Sequence, residues 1–485
     1  MIGKSFFATA IALGCTLSSF SQSESMSQSI ASADTLSLSV DQCIAIALSD
    51  NPTIRIADME IRRMDYSKKE SLGQLLPSIS FGATYNRTLA KQTMYMNMRN
   101  FGGASSAPGD DENDGHDSQS QSSGSSNGIK VGLDNSYSAG FSLAMPLIAP
   151  QLWKTLDLND SRILETVERA RQSRIAMVNQ VKNAYYTLLL AEDSYRVIQE
   201  SYDMARFTAD LYAKQFSLGA ASQYDVLRTE VALKNVEPEL TQATIAIKQA
   251  RLQLLILMGM EKGPVIAPTT TLADYERSMY DDVLGIDRNI EGNSDLRMLD
   301  IQTRQLRDAL KVQKMSLFPT LSLSANYNWT SMNDGTPFKG LRWSPYSMIG
   351  LTLSIPLFEG GQRYTRIKQA EIQVNEMKWQ RDNLVRTINM QTDLAIDNIE
   401  MNVKQIASCS ESVRQAETAH SIMKQSFEIG AASYLDLRDS ELALTRSRLA
   451  YYQAIYNYLV AGSDLELLLG NADISHDRVN SAPAE

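Results

Sequence analysis

The chain has 485 residues, and its 46 Lys and Arg against 56 Asp and Glu give a formal net charge of −10. A surface that binds nucleic-acid phosphates needs clustered Lys and Arg in excess, so this balance argues against a nucleic-acid-binding protein. The 3 Cys are too few for a disulfide framework in a chain of this size.

The N-terminus has the three-part form of a secretory signal peptide. Lys4 precedes an apolar stretch at residues 6–17, and a small-residue cleavage site follows at Ser19-Phe20-Ser21. We therefore predict a signal peptide at residues 1–21 and an exported chain. Ala12-Leu13-Gly14-Cys15 resembles an imperfect lipoprotein box, so lipidation of Cys15 is an open alternative.

Two stretches of the first half, residues 79–86 and 136–145, alternate apolar and polar residues with a period of two. This is the pattern of a strand with one apolar and one polar face. Between them, residues 100–128 contain too few apolar residues to order themselves, so we predict a disordered loop there.

Two helices follow in the first half. Residues 151–216 have apolar residues at steps of three and four, which predicts a long helix packed along one seam. A returning helix is predicted over residues 222–258. Pro238 lies inside it, and we expect a kink or a break about one turn earlier, where the proline ring displaces a backbone bond.

The second half has the same order of elements. Alternating strands are predicted at residues 321–329 and 349–355, and helices at residues 361–427 and 433–469. The first of these helices would be about 100 Å long at 1.5 Å per residue. Aromatic residues lie near several strand ends, as at a bilayer surface: Tyr95, Tyr137, Trp329, Trp343 and Tyr346.

A ten-residue phrase joins the two helices in each half and shows that the chain is duplicated. Residues 216–225 and 427–436 both read Phe-x-x-Gly-Ala-Ala-Ser-x-x-Asp. The glycine can adopt the positive φ of a helix C-terminus, the serine can cap the returning helix, and the aspartate lies near that helix's positive end. Each half is therefore predicted to form a helical hairpin with a tight turn.

The strands considered alone would fit a soluble sandwich. Their number, the signal peptide and the lack of an apolar segment of about 18 residues favour strands that span a membrane. Four strands cannot close a barrel, and open sheet edges in hydrocarbon leave backbone groups unpaired, so several copies of the chain are needed.

Over nearly its whole mature length, the chain resembles the TolC-like outer-membrane efflux proteins. The resemblance is carried by Leu38-Ser-Val-Asp-Gln-Cys-Ile-Ala-Ile-Ala-Leu48-Ser-Asp-Asn51-Pro52, by Leu76-Pro77 and Phe318-Pro319, by Ile355-Pro356-Leu357-Phe358-Glu-Gly360-Gly361-Gln-Arg363, and by the twin Gly-Ala-Ala-Ser turns. The first half departs from the motif at residues 355–363, because its corresponding segment reads Pro146-Leu147-Ile148-Ala149-Pro150.

The resemblance implies a mainly α-helical fold with membrane β-strands. A homotrimer would form a twelve-stranded β-barrel, four strands per chain, continuous with a long α-helical barrel in the periplasm. It implies an outer-membrane exit duct of a tripartite efflux or type I secretion system. The implied partners are a periplasmic adaptor, an inner-membrane transporter and outer-membrane lipid.

The resemblance also assigns roles to the hairpin turns. Adaptor docking would involve both turns, and acidic residues would narrow the pore. The docking residues are Leu218, Gly219, Ala220, Ala221, Ser222, Ile429, Gly430, Ala431, Ala432 and Ser433; the constriction residues are Asp436, Asp439 and Asp225. Helix-start capping is the competing explanation for Asp225 and Asp436. Ala432 departs from the basic residue that relatives often carry in the turn.

Two other functions compete with the duct. A structural periplasmic coiled coil would use the same helices but would not need strands with a polar face. An enzyme is disfavoured, because no His has a partner at ligand or triad spacing, and no metal or cofactor is expected. The predicted division is a first repeat at residues 36–262, a linker at 263–288, a second repeat at 289–470 and a flexible tail at 471–485.

Overall fold

The computed structural model describes residues 35–94, 129–261, 265–276 and 288–471. The predicted signal peptide, Cys15, the loop at 100–128 and nearly all of the tail lie outside the described residues. Within the described ranges, no helix is both long and apolar enough to cross a membrane.

The strands and helices alternate in two similar blocks. The strands are β1 (Thr35–Leu38), β2 (Ser78–Arg87), β3 (Gln92–Met94), β4 (Ile129–Val131), β5 (Asn135–Ile148), β6 (Val265–Pro268), β7 (Thr320–Asn333) and β8 (Ser344–Ser354). The helices are α1 (Val40–Asp50), α2 (Pro52–Gly73), α3 (Pro150–Ser217), α4 (Gln223–Leu257), α5 (Ser294–Met315), α6 (Gln362–Glu428) and α7 (Tyr434–Leu469). All four predicted strands and all four predicted long helices are confirmed.

The four long strands form one antiparallel sheet in the order β2-β5-β7-β8. Its register aligns the apolar residues of neighbouring strands, so that Phe81 lies opposite Phe141 and Phe141 opposite Tyr327. The Phe81 and Phe141 ring centroids are 5.0 Å apart. On the other face, the hydroxyls of Ser80 and Ser142 are 2.7 Å apart. The sheet therefore has one apolar and one polar face, as the alternation predicts.

Each repeat contains a helical hairpin of nearly the same size. Helices α3 and α4 have 68 and 35 residues, and helices α6 and α7 have 67 and 36 residues. The internal duplication is thus present in the fold. Helix α4 runs without interruption through Pro238, so the predicted break is wrong, while a kink without a break stays a prediction.

The main apolar core lies where the short helix α1 packs against the middle of α3. Cys43, Tyr185 and Leu188 are fully buried there, together with Leu254 of α4 and Ile455 of α7. The parallel pair β1 and β6 borders this core. Burial raises the pKa of the Cys43 thiol to about 11, so this thiol stays protonated and behaves as an apolar side chain.

Two buried asparagines hold the ends of the returning helices, and we call these contacts the helix-end clamps. The Asn51 amide nitrogen donates to the Leu257 carbonyl at 2.7 Å, and the Asn51 side-chain oxygen caps α2. The Asn293 amide nitrogen likewise donates to the Leu468 carbonyl at 2.7 Å, and the Asn293 side-chain oxygen caps the N-terminus of α5. Each clamp thus satisfies orphan groups of two helices with one side chain.

A glycine with positive φ follows each clamped helix. Gly259 has φ of 69° and Gly470 has φ of 70°. A Cβ added at Gly259 would lie 2.8 Å from the Asp50 carbonyl oxygen, and one at Gly470 would overlap the Gly292 carbonyl oxygen. Both the backbone conformation and the space therefore require glycine at these positions.

Candidate functional site

The free ends of the two hairpins, which we call the tip turns, have the same geometry. Gly219 and Gly430 both have φ of 75°, the left-handed conformation that the sequence predicts. The next backbone N–H in each turn donates back to the helix at 2.8 Å, from Ala220 to Gln215 and from Ala431 to Ser426. Each long helix therefore ends in a compact Schellman-type turn.

Each tip turn is followed by a complete capping box. The Ser222 hydroxyl donates to the Asp225 carboxylate at 2.6 Å, and the Ser433 hydroxyl donates to the Asp436 carboxylate at 2.7 Å. The backbone N–H of the aspartate donates to the serine in return. The predicted caps are confirmed, and both aspartates have a structural role in starting the returning helix.

Apolar side chains are exposed at both tip turns. Leu218 is 84% exposed and Ile429 is 81% exposed, and they occupy equivalent positions before the two glycines. Apolar residues of this size at the end of a hairpin leave surface available for contacts between molecules.

The predicted constriction residues differ in their surroundings. The hydrogen bonds from Ser433 lower the pKa of Asp436, which keeps its carboxylate charged. A ring of carboxylates would raise pKa values by like-charge repulsion, but the ring requires neighbouring copies, so it stays a prediction. Asp439 is exposed on the same helix and lies outside the capping box, whereas Asp225 is half-buried.

The two hairpins are joined just behind the tip turns. The Tyr434 ring of α7 lies 5.6 Å from the Tyr212 ring of α3, measured between centroids. The Arg228 guanidinium of α4 lies 5.6 Å from the centre of the same Tyr434 ring. Tyr434 therefore connects both helices of the first hairpin to the second hairpin through an edge-to-face ring contact and a cation–π contact.

Further from the tips, a cavity of about 90 Å³ separates α3, α6 and α7. Glu441 of α7 reaches into it and accepts a hydrogen bond from the Ser201 hydroxyl of α3 at 3.3 Å. His420 of α6 contacts Ser440 at 3.2 Å. Arg448 bridges Glu200 and Glu417, at 2.6 Å and 2.8 Å. Polar groups thus link three helices, partly buried at Glu441 and exposed at the Glu200 and Glu417 ion pairs.

Sequence reasoning missed this cavity. Glu441 belongs to the repeated region after the tip turn, but its counterpart in the first repeat, Glu230, is exposed. Burial raises the pKa of Glu441. Burial, with Lys424 and Arg448 nearby, lowers the pKa of His420. Only the difference in burial between the two repeats could have indicated the site, and a sequence does not reveal it directly.

Replacing Glu441 with Gln should raise the melting temperature at neutral pH and leave it nearly unchanged at acidic pH. A carboxyl whose pKa is raised by folding lowers stability as pH rises from its ordinary value through its folded pKa, and glutamine removes that loss. Circular dichroism of the purified protein at several pH values measures this. Charged and titratable groups near the cavity are Glu200, Glu417, His420, Lys424, Arg438 and Arg448.

The Glu230→Gln variant is the matched control, because it makes the same change at the exposed counterpart and should not alter the pH profile. Since protonation of His420 acts in the opposite sense, the comparison is between variant and parent at each pH. Equal melting temperatures for Glu441→Gln and the parent throughout would contradict the role of burial.

The residues that form the tip turns, the hairpins and the four-stranded sheet lie within two stretches that match a known family. Residues 43–260 and 285–471 match the outer membrane efflux proteins. The chain belongs to this family.

Outer membrane protein TolC of Vibrio cholerae is 19% identical over 335 residues, which is 69% of this chain and 76% of the relative. The cobalt-zinc-cadmium resistance protein CzcC of Cupriavidus metallidurans is 24% identical over 299 residues, covering 60% of this chain and 67% of the relative.

Solved structures agree with this assignment. The CmeC outer membrane channel of Campylobacter jejuni superposes with a TM-score of 0.64 at 16% identity, over 89% of this chain and 85% of that chain. The predicted fold class, mainly α-helical with membrane β-strands and an internal duplication, is confirmed. As a member of the outer membrane efflux proteins, this chain forms an exit duct in the outer membrane with its helical part in the periplasm.

Proposed function

We propose that three copies of the chain assemble into one passive channel that serves a tripartite efflux or type I secretion system. The observation that carries this proposal is the open four-stranded sheet. Strands β2 and β8 pair on one side only. In lipid, unpaired backbone groups on these edges cost several kcal/mol each. Copies that join edge to edge remove this cost.

The order of the strands fits such a closure. Neighbouring strands in the sheet are all antiparallel. With an even number of strands, β8 of one copy runs antiparallel to β2 of the next, so the pattern continues around a ring. Two copies reach only the smallest known barrels, whereas three give twelve strands and a wider interior.

The helices fit a duct that extends from this barrel. All four long strands connect to helices at the same end of the sheet, through α2, α3, α5 and α6. Helices of 68 and 67 residues are about 100 Å long at 1.5 Å per residue. Three copies would supply twelve helical segments around one axis, which continues the barrel as a tube.

The tip turns are the proposed docking surface for the periplasmic adaptor. Their exposed Leu218 and Ile429, and their shared Gly-Ala-Ala-Ser backbone, offer one partner two nearly equivalent sites per chain. An inner-membrane transporter would supply the energy, and the duct itself would carry out no chemical reaction. Asp436, Asp439 and Asp225 would place negative charge at the entrance and favour cations.

Reconstitution into planar bilayers tests the channel. Purified trimers should give conductance steps of a single size with cation preference. Asp439→Asn should reduce that preference without disturbing the helix start, since Asp439 lies outside the capping box. Asp436→Asn, which keeps an acceptor for the cap, is the matched variant for the second carboxylate. Well-folded trimers that show no conductance would contradict the duct, and an unchanged preference in both variants would contradict only the acidic ring.

A structural periplasmic coiled coil is the alternative, and extraction distinguishes it. A duct whose strands span the outer membrane should leave the membrane fraction only with detergent. Release by salt or alkali alone would favour the coiled coil, which has no use for the polar face of the sheet.

A further inference from the structure

The segment 334–343, between β7 and β8, lies at the end of the sheet opposite the helices, and we call it the rim loop. The helices α5 and α6 connect to the other ends of these two strands. In an outer-membrane duct with periplasmic helices, the rim loop is therefore on the side of the outer leaflet and the cell exterior.

Phe338 in the rim loop has an unusual backbone. Its φ is 64°, and it is the only residue other than glycine with positive φ among the described ranges. This conformation is unfavourable for a bulky side chain and persists only when surrounding contacts hold it. The Phe338 N–H donates to the Tyr137 hydroxyl at 2.8 Å. The left-handed backbone and this hydrogen bond together fix the position of the phenyl ring.

The Phe338 ring packs on the apolar face of the sheet. Its centroid lies 5.4 Å from that of Tyr85 and 5.2 Å from that of Tyr137. Tyr85 and Tyr137 are themselves stacked at 4.9 Å, on the same face as Phe81 and Phe141. Although it makes both contacts, Phe338 remains 69% exposed. The ring therefore extends the apolar face of the barrel outward, away from the lumen.

A polar network fixes the rim loop in this position. The fully buried Asn135 accepts from the Tyr85 hydroxyl at 2.9 Å and donates to the Gly335 carbonyl at 3.1 Å. Asn333 donates to the Lys339 carbonyl at 2.6 Å. One side chain therefore connects the aromatic cluster to the loop backbone, and a second ties the loop to the end of β7. Such contacts are what a strained residue requires to keep its conformation.

Two basic residues lie in the same loop as the exposed ring. Lys339 and Arg342 are both exposed in the rim loop. An exposed phenyl ring on the apolar face, with basic residues in the same loop, matches the boundary between acyl chains and phosphate-bearing headgroups.

We propose that the rim loop is a lipid-interface anchor, in which Phe338 inserts among the lipids of the outer leaflet while Lys339 and Arg342 face their phosphates. The occupant is lipid because the exposed ring continues a sheet face that lipid already covers in the barrel. This proposal rests on the barrel assembly described above. The anchor would fix the depth of the channel at its outer end.

Site-directed spin labelling in liposomes tests the anchor. A nitroxide at Phe338→Cys should be more accessible to oxygen, which partitions into lipid, than to a water-soluble nickel chelate. Ile349→Cys, on the apolar face of β8, should behave alike, and Ser322→Cys, on the polar face of β7, should show the opposite preference. Cys43 and Cys409 are buried, and the unsubstituted chain, labelled in parallel, supplies the background.

The two reference positions separate failure of the anchor from failure of the barrel. Lipid exposure at 349 with water exposure at 338 would overturn the anchor alone. Water exposure at both would overturn the barrel. Because cysteine removes the ring, a second measurement keeps it: 4-fluorophenylalanine at Phe338 should give a fluorine signal that spin-labelled lipid broadens and a soluble gadolinium chelate does not. Broadening by the soluble agent alone would also overturn the anchor.

Discussion

Gly470→Ala is expected to lower the stability of the protein by about 2–4 kcal/mol, more than most single substitutions. The new Cβ would overlap the Gly292 carbonyl oxygen, and φ of 70° is unfavourable for alanine. Neither the steric overlap nor the backbone strain can relax without moving Asn293. The Asn293 side chain holds the end of α7 through the Leu468 carbonyl. We expect a large fall in melting temperature, and circular dichroism in detergent measures it.

Gly462→Ala is the matched control for that substitution. Gly462 lies inside α7, and no atom that a Cβ would meet is within 4 Å. Alanine should therefore stabilise the helix by about 0.5–1 kcal/mol. If the two variants melted at the same temperature, the clamp would not be the reason for glycine at position 470.

Replacing Gly219 and Gly430 together with Val is expected to abolish most binding of the proposed periplasmic adaptor while leaving the protein folded. A β-branched residue at φ of 75° costs about 1–2 kcal/mol, and no neighbouring atom blocks it, so the tip turn changes shape instead of clashing. If the adaptor recognises the original shape of the turn, binding must restore that shape against the backbone strain. Each substituted turn should then reduce the affinity for the adaptor about tenfold. Equilibrium binding of purified adaptor to the channel measures the loss.

The corresponding Asn variants provide the comparison. Asparagine accepts the left-handed conformation far better than valine. Gly219→Asn with Gly430→Asn should therefore retain binding close to that of the parent, even though it adds a side chain at the same positions. Equal binding by the Val and Asn variants would show that turn shape is not what the partner recognises.

Much of the fold could be predicted because its elements have strong local periodicity. The strand alternation at residues 79–86 and the apolar seam of residues 151–216 are properties of the chain itself, and the structure extends them by only one or a few residues. The capping boxes at Ser222 and Ser433 were equally readable, since serine and aspartate three residues apart suffice.

A kink or a break is predicted at Pro238, and the absence of a break shows where local rules fail. Proline removes one backbone hydrogen bond, but α4 packs against α3 and has buried residues on both sides of the proline, such as Val236 and Ala243. Continued packing outweighs the loss of a single bond, so the helix continues. The sequence shows the proline that weakens the helix, but it does not show the packing that offsets this loss of stability.

Contacts between distant segments could not be predicted from periodicity. Asn51 and Asn293 reach carbonyls 206 and 175 residues away, and Glu441 meets Ser201 across 240 residues. The position of Phe338 likewise depends on Tyr137, 201 residues earlier. None of these residues differs locally from an ordinary polar or aromatic residue, so only the folded arrangement identifies them.

The position of the helix-end clamps has a mechanical consequence. Helices α4 and α7 extend 35 and 36 residues from the clamp to the tip turn, a lever arm of about 50 Å at 1.5 Å per residue. A tilt of one degree at the base therefore moves the far end by about 1 Å. Movement at Asn51 or Asn293 would be magnified into a lateral displacement of the tip turns, so the two buried amides keep both returning helices aligned.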